Sequence, residues 1–228
     1  KHNKHFVSDV IINHAPRLSE SVYSKNETTK CFLGFDYVML RQPFLEAVRC
    51  NNSKQKSINE SVTINFGGID HYNLTLKYLK YLDKLDFFRE INLLVSGNYK
   101  YFNQLYDYLS QNHHINCTIH VDLSDDKLIY LFLKSSFGIA SASTVSFEML
   151  SVKIPMMVGY YVDNQMDIYN GLKSIKGITK LGNLIHLNEK DFILTFRNVA
   201  LQNVKFENPI IDGHSDDRIV NIFKELNE

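Results

Sequence analysis

Several features that would place this protein in a functional class are missing from its sequence. Lys and Arg together number 25, as do Asp and Glu, so the formal net charge is zero. A neutral chain has no basic field to attract nucleic acid or an anionic membrane, and we expect neither as a partner. No run of about 18 apolar residues is present, so no transmembrane helix and no membrane insertion are predicted.

Paired cysteines and metal-ligand patterns are also absent. The three cysteines, Cys31, Cys50 and Cys117, form no CxxC pair, and the histidines form no HxxxH or HExxH pattern. These absences argue against a disulfide framework and against a zinc site. Isolated cysteines are typical of a reducing compartment, so we expect a cytoplasmic protein. The sequence likewise lacks the GxGxxG, GxxxxGK[ST] and GxSxG motifs of dinucleotide, P-loop and hydrolase sites.

What the sequence does contain is a regular alternation of strand-like and helix-like segments. Strands that alternate with helices of this length predict a parallel sheet covered on both faces, a Rossmann-like, doubly wound α/β domain over 56–228. Asp70 is expected to cap the first helix, which extends to about Leu85. The strands are expected at 61–66, 91–97, 116–123, 137–141 and 154–160, with ITKLG at 178–182 as a candidate sixth.

The first 55 residues break this alternation. DVIINHA at 9–15 is a strand, a polar stretch follows it, and 50–60 is polar and loop-like. A lone strand is not stable in water, so it must belong to a neighbouring domain or join the edge of the main sheet. The sequence opens on KHNKHFVSDV, without Met and with a strand almost at once. We therefore expect a piece of a longer protein.

Three polar turns follow predicted strands and lead into helices. They are NFGGIDH at 65–71, SASTVS at 141–146 and YYVDNQ at 160–165. In an open α/β sheet the ligand lies beyond the carboxyl ends of the strands, where these turns are expected. Backbone N–H groups and the helix dipole at a helix start suit a phosphate. The three turns therefore predict a binding site at this edge of the sheet.

The SASTVSFE turn is the most informative of the three. If Ser143 is the N-cap, Thr144 is the first helical residue and Glu148 the fifth, whereas a capping box needs its carboxylate at the third. Thr144 and Glu148 are four residues apart and share a helix face, which we expect to point into the crevice. A carboxylate can accept hydrogen bonds from the vicinal diol of a ribose. The alternative is a Glu on a solvated edge, or one paired with a nearby Lys.

The other two turns are less specific. Gly67-Gly68 permits a sharp turn and close approach of a ligand to the backbone, although a tight strand-to-helix turn explains the pair as well. Asp163 or Asn164 can cap the next helix. Alternatively, Gln165 at the start of that helix has an amide free to bond a sugar hydroxyl.

With these turns in view, the sequence resembles the nucleotide-sugar hydrolase of pseudaminic acid biosynthesis and related spore-coat polysaccharide proteins. VTINFGGIDHYNLTLKYL, SASTVSFEMLSVKIPMMVGYYVDNQ and DGHSDDRIVNIF look like the C-terminal half of that hydrolase. DVIINHA and GFDYVMLRQPF resemble the last strand of its N-terminal domain and the crossing to the second domain. More distantly, the sequence is similar to the N-acetylglucosaminyltransferase of peptidoglycan synthesis.

This resemblance implies a GT-B fold, in which two Rossmann-like domains enclose a cleft. Residues 1–55 would be the last strand of a truncated N-terminal domain with the interdomain connection, and 56–228 the nucleotide-binding domain. UDP or a UDP-sugar would be the ligand, with Glu148 on the ribose, the Ser143-Thr144 helix start on the diphosphate and no metal or other cofactor. The implied ligand-binding residues are Gly67, Gly68, Ser143, Thr144, Glu148, Asp163, Asn164 and Gln165.

The sequence departs from the family in two places. The family's catalytic histidine lies near the start of the N-terminal domain, outside this sequence, and His71 stands where the family often has Pro. We therefore expect this chain to bind UDP weakly and to catalyse nothing alone. For the full-length protein we expect hydrolysis of a UDP-linked deoxyamino sugar in bacterial surface-sugar biosynthesis. The alternatives are a glycosyltransferase and a non-catalytic nucleotide-sugar-binding subunit.

Overall fold

The computed structural model describes residues 5–50, 60–172, 175–200 and 210–226. The strands are β1 (Val10–Asn13), β2 (Lys30–Leu33), β3 (Ser61–Asn65), β4 (Glu90–Val95), β5 (Cys117–Val121), β6 (Phe137–Ser141), β7 (Met156–Tyr160) and β8 (Ile178–Asn183). The helices are α1 (Gln42–Arg49), α2 (Leu74–Asp83), α3 (Phe102–Gln111), α4 (Asp125–Lys134), α5 (Thr144–Ser151), α6 (Met166–Gly171), α7 (Glu189–Ala200) and α8 (Ser215–Glu225). Within these ranges no helix has the length and apolar character needed to cross a membrane.

Strands β3 to β8 form one parallel sheet in the order β5-β4-β3-β6-β7-β8. The chain moves outward from β3 to β5, returns to the middle at β6 and then moves outward in the other direction. This is the strand order of a doubly wound Rossmann-like sheet, which confirms the predicted fold class. All six predicted strands are present, including ITKLG as part of β8.

Helices cover both faces of this sheet, as its buried strands require. On one face α2, α3 and α7 pack their apolar side chains on the sheet around Tyr78, Leu105 and Phe192. On the other face α1, α4, α5 and α6 pack around Phe44, Phe132 and Phe147, which belong to a second core cluster. Because α1 lies against α4 and α5, nearly every residue of α5 is buried.

Helix α2 shows how local chemistry sets a helix start. It begins at Leu74, after Asn73 in the left-handed conformation, rather than next to Asp70. The Asp70 carboxylate nevertheless reaches over the turn and accepts hydrogen bonds from the N–H groups of Leu74 at 2.8 Å and Thr75 at 2.7 Å. The predicted capping role of Asp70 is therefore confirmed, with the cap four residues before the helix.

The N-terminal segment differs from the prediction in one respect. Strand β1 does not stand alone, and it does not join the main sheet: it pairs in parallel with β2, from Val10↔Lys30 to Asn13↔Leu33, in a separate two-stranded sheet. The expectation of a single strand was wrong because 30–33, placed in the connection from sequence, supplies a partner. Helix α1 then begins with Pro43 in its first turn, where a missing N–H costs nothing. The predicted domain boundary at 55/56 lies outside the described residues.

Candidate functional site

The candidate site lies where the strand order reverses. Strands β3 and β6 are neighbours, with Asn65 opposite Ala140, yet β3 leads to α2 on one face and β6 leads to α5 on the other. Their carboxyl ends therefore diverge and leave a crevice, which is where ligands bind in open α/β sheets. The Gly67-Gly68 turn forms one side of this crevice and the Ser143 turn forms the other. The topology therefore brings two of the three predicted turns together.

The start of α5 has the geometry that the sequence predicted. Ser143 is the N-cap, Thr144 the first helical residue and Glu148 the fifth. The Ser143 hydroxyl does not cap the helix but lies 3.1 Å from the Ser141 hydroxyl. Among the described residues, the N–H groups of Thr144 and Val145 have no hydrogen-bond acceptor, and the first turn contains no acidic side chain. This helix start can therefore accept an external anion.

Two other helices that start at the same edge are less suited to an anion. At α2 the Asp70 carboxylate already occupies the N–H groups of Leu74 and Thr75. At α4 the first turn carries the carboxylates of Asp125 and Asp126, which would repel a phosphate. The dipole of each helix is similar, so these side chains distinguish the three starts.

Glu148 is buried, with 4 % of its surface exposed, whereas Thr144 one turn earlier is exposed. Its partner is Arg41, whose Nε and Nη2 lie 2.9 and 2.7 Å from Oε1. Burial raises the pKa of the Glu148 carboxyl, Arg41 acts in the opposite direction, and Asp125 adds to the rise. The alternative in which Glu148 is paired with a cation is correct in kind, but the cation is an arginine 107 residues away rather than a nearby Lys.

Arg41 is the residue at this site that sequence reasoning missed. It precedes α1 and also donates from Nη1 to Asp125 Oδ1 at 2.7 Å, so it joins the segment before α1 to α4 and α5. A signal was available, because a carboxylate buried on an apolar helix requires a cation or hydrogen-bond donors. Nothing local to residue 148 indicates which of the 25 basic residues supplies it.

The backbone geometry and packing of the Gly67-Gly68 turn explain why both positions are glycine. Gly67 has φ of 92°, in the region that favours glycine. A Cβ on Gly68 would lie 2.9 Å from Cβ of Ser96, whose Oγ donates to the Gly68 carbonyl at 2.7 Å. The tight-turn interpretation is thus sufficient for the pair, and its contact with a ligand stays a prediction.

The YYVDNQ turn is tied to the Gly67-Gly68 turn across the crevice edge. The Tyr161 hydroxyl donates to the Phe66 carbonyl at 2.8 Å. Asp163–Gln165 forms a single 3₁₀ turn before α6, and neither Asp163 nor Asn164 caps that helix. Gln165 is buried and its Oε1 accepts the Tyr161 N–H at 3.0 Å. The sequence suggested that this amide is free, but its oxygen is used to hold the turn.

The histidines differ in their surroundings. His14 follows β1, and its ring packs edge-on against Phe147 at 5.1 Å, with burial lowering its pKa. His114 Nε2 lies 2.7 Å from Asp83 Oδ1, and His120 Nε2 lies 2.7 Å from Asn92 Oδ1. These contacts are of the ordinary structural kind expected for scattered histidines.

Comparison with known proteins identifies a sequence relative and solved structures of similar fold. No family model matches the chain. The uncharacterized protein MJ1062 of Methanocaldococcus jannaschii is 26% identical over 186 residues, which cover 79% of this chain and 37% of that protein. The structure of MurG from Acinetobacter baumannii superposes with a TM-score of 0.59 at 12% identity, over 96% of this chain and 61% of MurG.

A second solved structure, the UDP-GlcNAc 2-epimerase of Methanocaldococcus jannaschii in complex with UDP-GlcNAc and UDP, superposes with a TM-score of 0.56 at 16% identity. It is matched over 84% of this chain and 52% of its own length. These similarities establish the fold, an α/β Rossmann-like sheet of the type found in GT-B enzymes. The chain spans little more than a third of its curated relative and roughly half to three fifths of the two structures.

Proposed function

We propose that this chain is the nucleotide-binding half of a GT-B enzyme and that it binds UDP or a UDP-sugar at the crevice between β3 and β6. The observation that supports this most directly is the start of α5, whose Thr144 and Val145 N–H groups have no acceptor within the described residues. A diphosphate would bind there, at the positive end of the helix dipole.

The nucleoside would extend from that helix start along α5. Glu148, one turn further on, would accept hydrogen bonds from the hydroxyl groups of the ribose. The sugar side would be lined by Gly67, Gly68, Asp163, Asn164 and the amide nitrogen of Gln165. UDP is the nucleotide of choice because the fold neighbour from Methanocaldococcus jannaschii was crystallised with UDP-GlcNAc and UDP. The catalytic groups would lie outside this chain, as the sequence resemblance implies.

The full-length protein would hydrolyse a UDP-linked deoxyamino sugar in surface-sugar biosynthesis. Water would add to the anomeric carbon and the bond from that carbon to the UDP oxygen would break, releasing free sugar and UDP. The runner-up is a glycosyltransferase, in which an acceptor hydroxyl replaces water, as the more distant sequence resemblance suggests. A non-catalytic subunit would bind UDP-sugar without turnover.

Calorimetric titration with UDP, AMP and CMP tests the nucleotide assignment. We expect weak binding that is tightest for UDP. Glu148→Ala should weaken UDP binding by about 1.5–3 kcal/mol, since the ribose would lose a charged hydrogen-bond acceptor. Glu46→Ala, which removes an exposed carboxylate from α1, is the matched control and should bind as the wild type does. Unchanged affinity in Glu148→Ala would show that the ribose assignment is wrong.

Product analysis with the full-length protein separates the activities. Incubation with a UDP-linked deoxyamino sugar should yield free sugar and UDP, and an added hydroxyl acceptor should leave the products unchanged. A glycoside product would instead identify a transferase. An intact UDP-sugar after prolonged incubation, with binding retained, would identify a non-catalytic subunit.

A further inference from the structure

Arg41 is held between two helices in a geometry that leaves it little freedom. Its Nε and Nη2 both contact Glu148 of α5, and its Nη1 contacts Asp125 of α4. The guanidinium carbon also lies 5.5 Å from the centre of the Phe44 ring. The Arg41 side chain is 38% exposed, whereas that of Glu148 is 6% exposed, so the arginine forms the outer cover of a buried carboxylate.

The contact with Glu148 is asymmetric. Both nitrogens of Arg41 converge on Oε1, and within the described ranges no hydrogen bond reaches Oε2. The fully buried side-chain atoms without a partner in those ranges are Nδ1 of His14 and Oγ1 of Thr75, so Oε2 keeps some contact with solvent. An arginine that engaged both oxygens as a fork would leave no free edge. Here one carboxylate oxygen, with both its lone pairs, stays available.

We propose that Arg41 is a positioning residue, which turns the Glu148 carboxylate so that Oε2 faces the nucleotide and supplies the positive charge beside it. This inference rests on the proposed function, because it assigns the ligand of Oε2 as the ribose diol. It also connects the nucleotide site to the segment that joins β2 to the main domain. Arg41 would act through Glu148 and would not itself contact the ribose.

The charges around Glu148 explain why an arginine is needed. Burial favours the protonated carboxyl, and the negative charge of Asp125 from α4 adds to this effect. Arg41, from the start of α1, is the cation that opposes both. His14 packs against Phe147, the residue adjacent to Glu148, and burial lowers the pKa of its ring. Without Arg41 the carboxyl would therefore take up a proton at a higher pH.

The test is the ratio of the dissociation constants for 2′-deoxy-UDP and UDP. The two ligands carry the same diphosphate, so their ratio reports the ribose contact and cancels effects on the phosphates. For the wild type we expect a ratio of about ten or more, because a hydrogen bond to a charged group is lost. The ratio should change less with pH in the wild type than in a variant without Arg41, because Arg41 opposes protonation of the Glu148 carboxyl.

In Arg41→Ala the ratio should be smaller than in the wild type and should rise with pH, as the unpaired Glu148 loses its proton. Arg41→Lys should give an intermediate ratio, since one ammonium cannot replace two guanidinium nitrogens on a single oxygen. Arg49→Ala is the matched control, because Arg49 lies at the other end of α1 and pairs with Asp216. Its ratio should equal that of the wild type.

The outcomes distinguish a failure of the positioning role of Arg41 from a failure of ribose binding. If Arg41→Ala weakens both ligands equally and keeps the wild-type ratio, Arg41 acts on the diphosphate and the positioning role is overturned while UDP binding stands. A wild-type ratio of about one would overturn the ribose assignment and this inference with it. If Arg41→Ala does not fold, Arg41→Gln keeps the side-chain bulk without the charge and should show the same pH-dependent fall, and a constant ratio there would overturn the inference.

Discussion

The starts of α2 and α5 follow neighbouring strands at the same edge of the sheet, but only the start of α2 is capped by a carboxylate of the protein. At α2 the Asp70 carboxylate accepts the first free N–H groups of the helix, at 2.8 and 2.7 Å. At α5 the Ser143 hydroxyl makes no such bond, and the N–H groups of Thr144 and Val145 have no acceptor in the described part of the chain. The first start is complete within the protein, whereas the second requires water or a ligand.

This comparison shows that the helix dipole alone does not define an anion site. The dipole contributes about 0.3–1 kcal/mol at either start and cannot distinguish them. The difference lies in the turn before the helix, where α2 is preceded by an acidic residue held at φ of 40° and α5 by the small residues of SAS. Whether a side chain of the protein already fills the site decides what the helix can bind.

The largest expected effect comes from removing the anion at α2. Asp70→Ala should lower the free energy of unfolding by about 2 kcal/mol, because two N–H groups at a buried helix start lose their acceptor. UDP affinity should not change. Urea unfolding measures the first quantity and calorimetry the second. Ser143→Ala is the matched variant at α5 and should cost less than about 0.5 kcal/mol. Equal losses in the two variants would remove the distinction between the starts.

A smaller effect is expected from making α5 resemble α2. Ser143→Asp should raise the free energy of unfolding by about 0.5–1 kcal/mol, since the new carboxylate caps the helix. It should weaken UDP binding about tenfold, or about 1.4 kcal/mol, by charge repulsion. Ser143→Asn is the control, which caps without charge and should retain most of the affinity. If Ser143→Asp binds UDP as tightly as the wild type, the diphosphate does not bind at this helix start.

The smallest effect concerns pH. Burial raises the pKa of Asp70 even though backbone N–H groups oppose the rise. Because the folded pKa is above the unfolded one, the folded state holds the proton more tightly. This contribution to stability is fully present below about pH 4 and is lost as the pH rises through the folded pKa. The stability of Asp70→Asn relative to the wild type should therefore improve as the pH rises above about 4 in chemical denaturation. If the free energies of unfolding of the wild type and Asp70→Asn changed in parallel with pH, the raised pKa of Asp70 would be contradicted.

Much of the fold could be predicted because it rests on local patterns. The six strands of the main sheet, the N-cap at Ser143 and the capping role of Asp70 all follow from runs of a few residues. The parallel arrangement followed from the alternation of strands and helices. The strand β2 was missed because its four residues, KCFL, form a strand only through pairing with β1.

The candidate site was predicted less completely. The sequence indicated the turns and the position of Glu148 on α5, but not that Arg41 covers it or that the Gln165 oxygen is used within its own turn. Both facts depend on side chains brought together by folding. The roles of the eight predicted residues towards a nucleotide remain predictions for the measurements above.

By itself, the sequence determined the fold class and the positions of the turns, because hydrophobic period and turn chemistry act over a few neighbouring residues. Only the tertiary structure decided which helix start stays open and which cation accompanies the buried carboxylate of Glu148. Those outcomes depend on groups as far as 107 residues apart in the chain. Such pairs meet only after the sheet orders its strands and α1 packs over α5, so no local pattern could specify them.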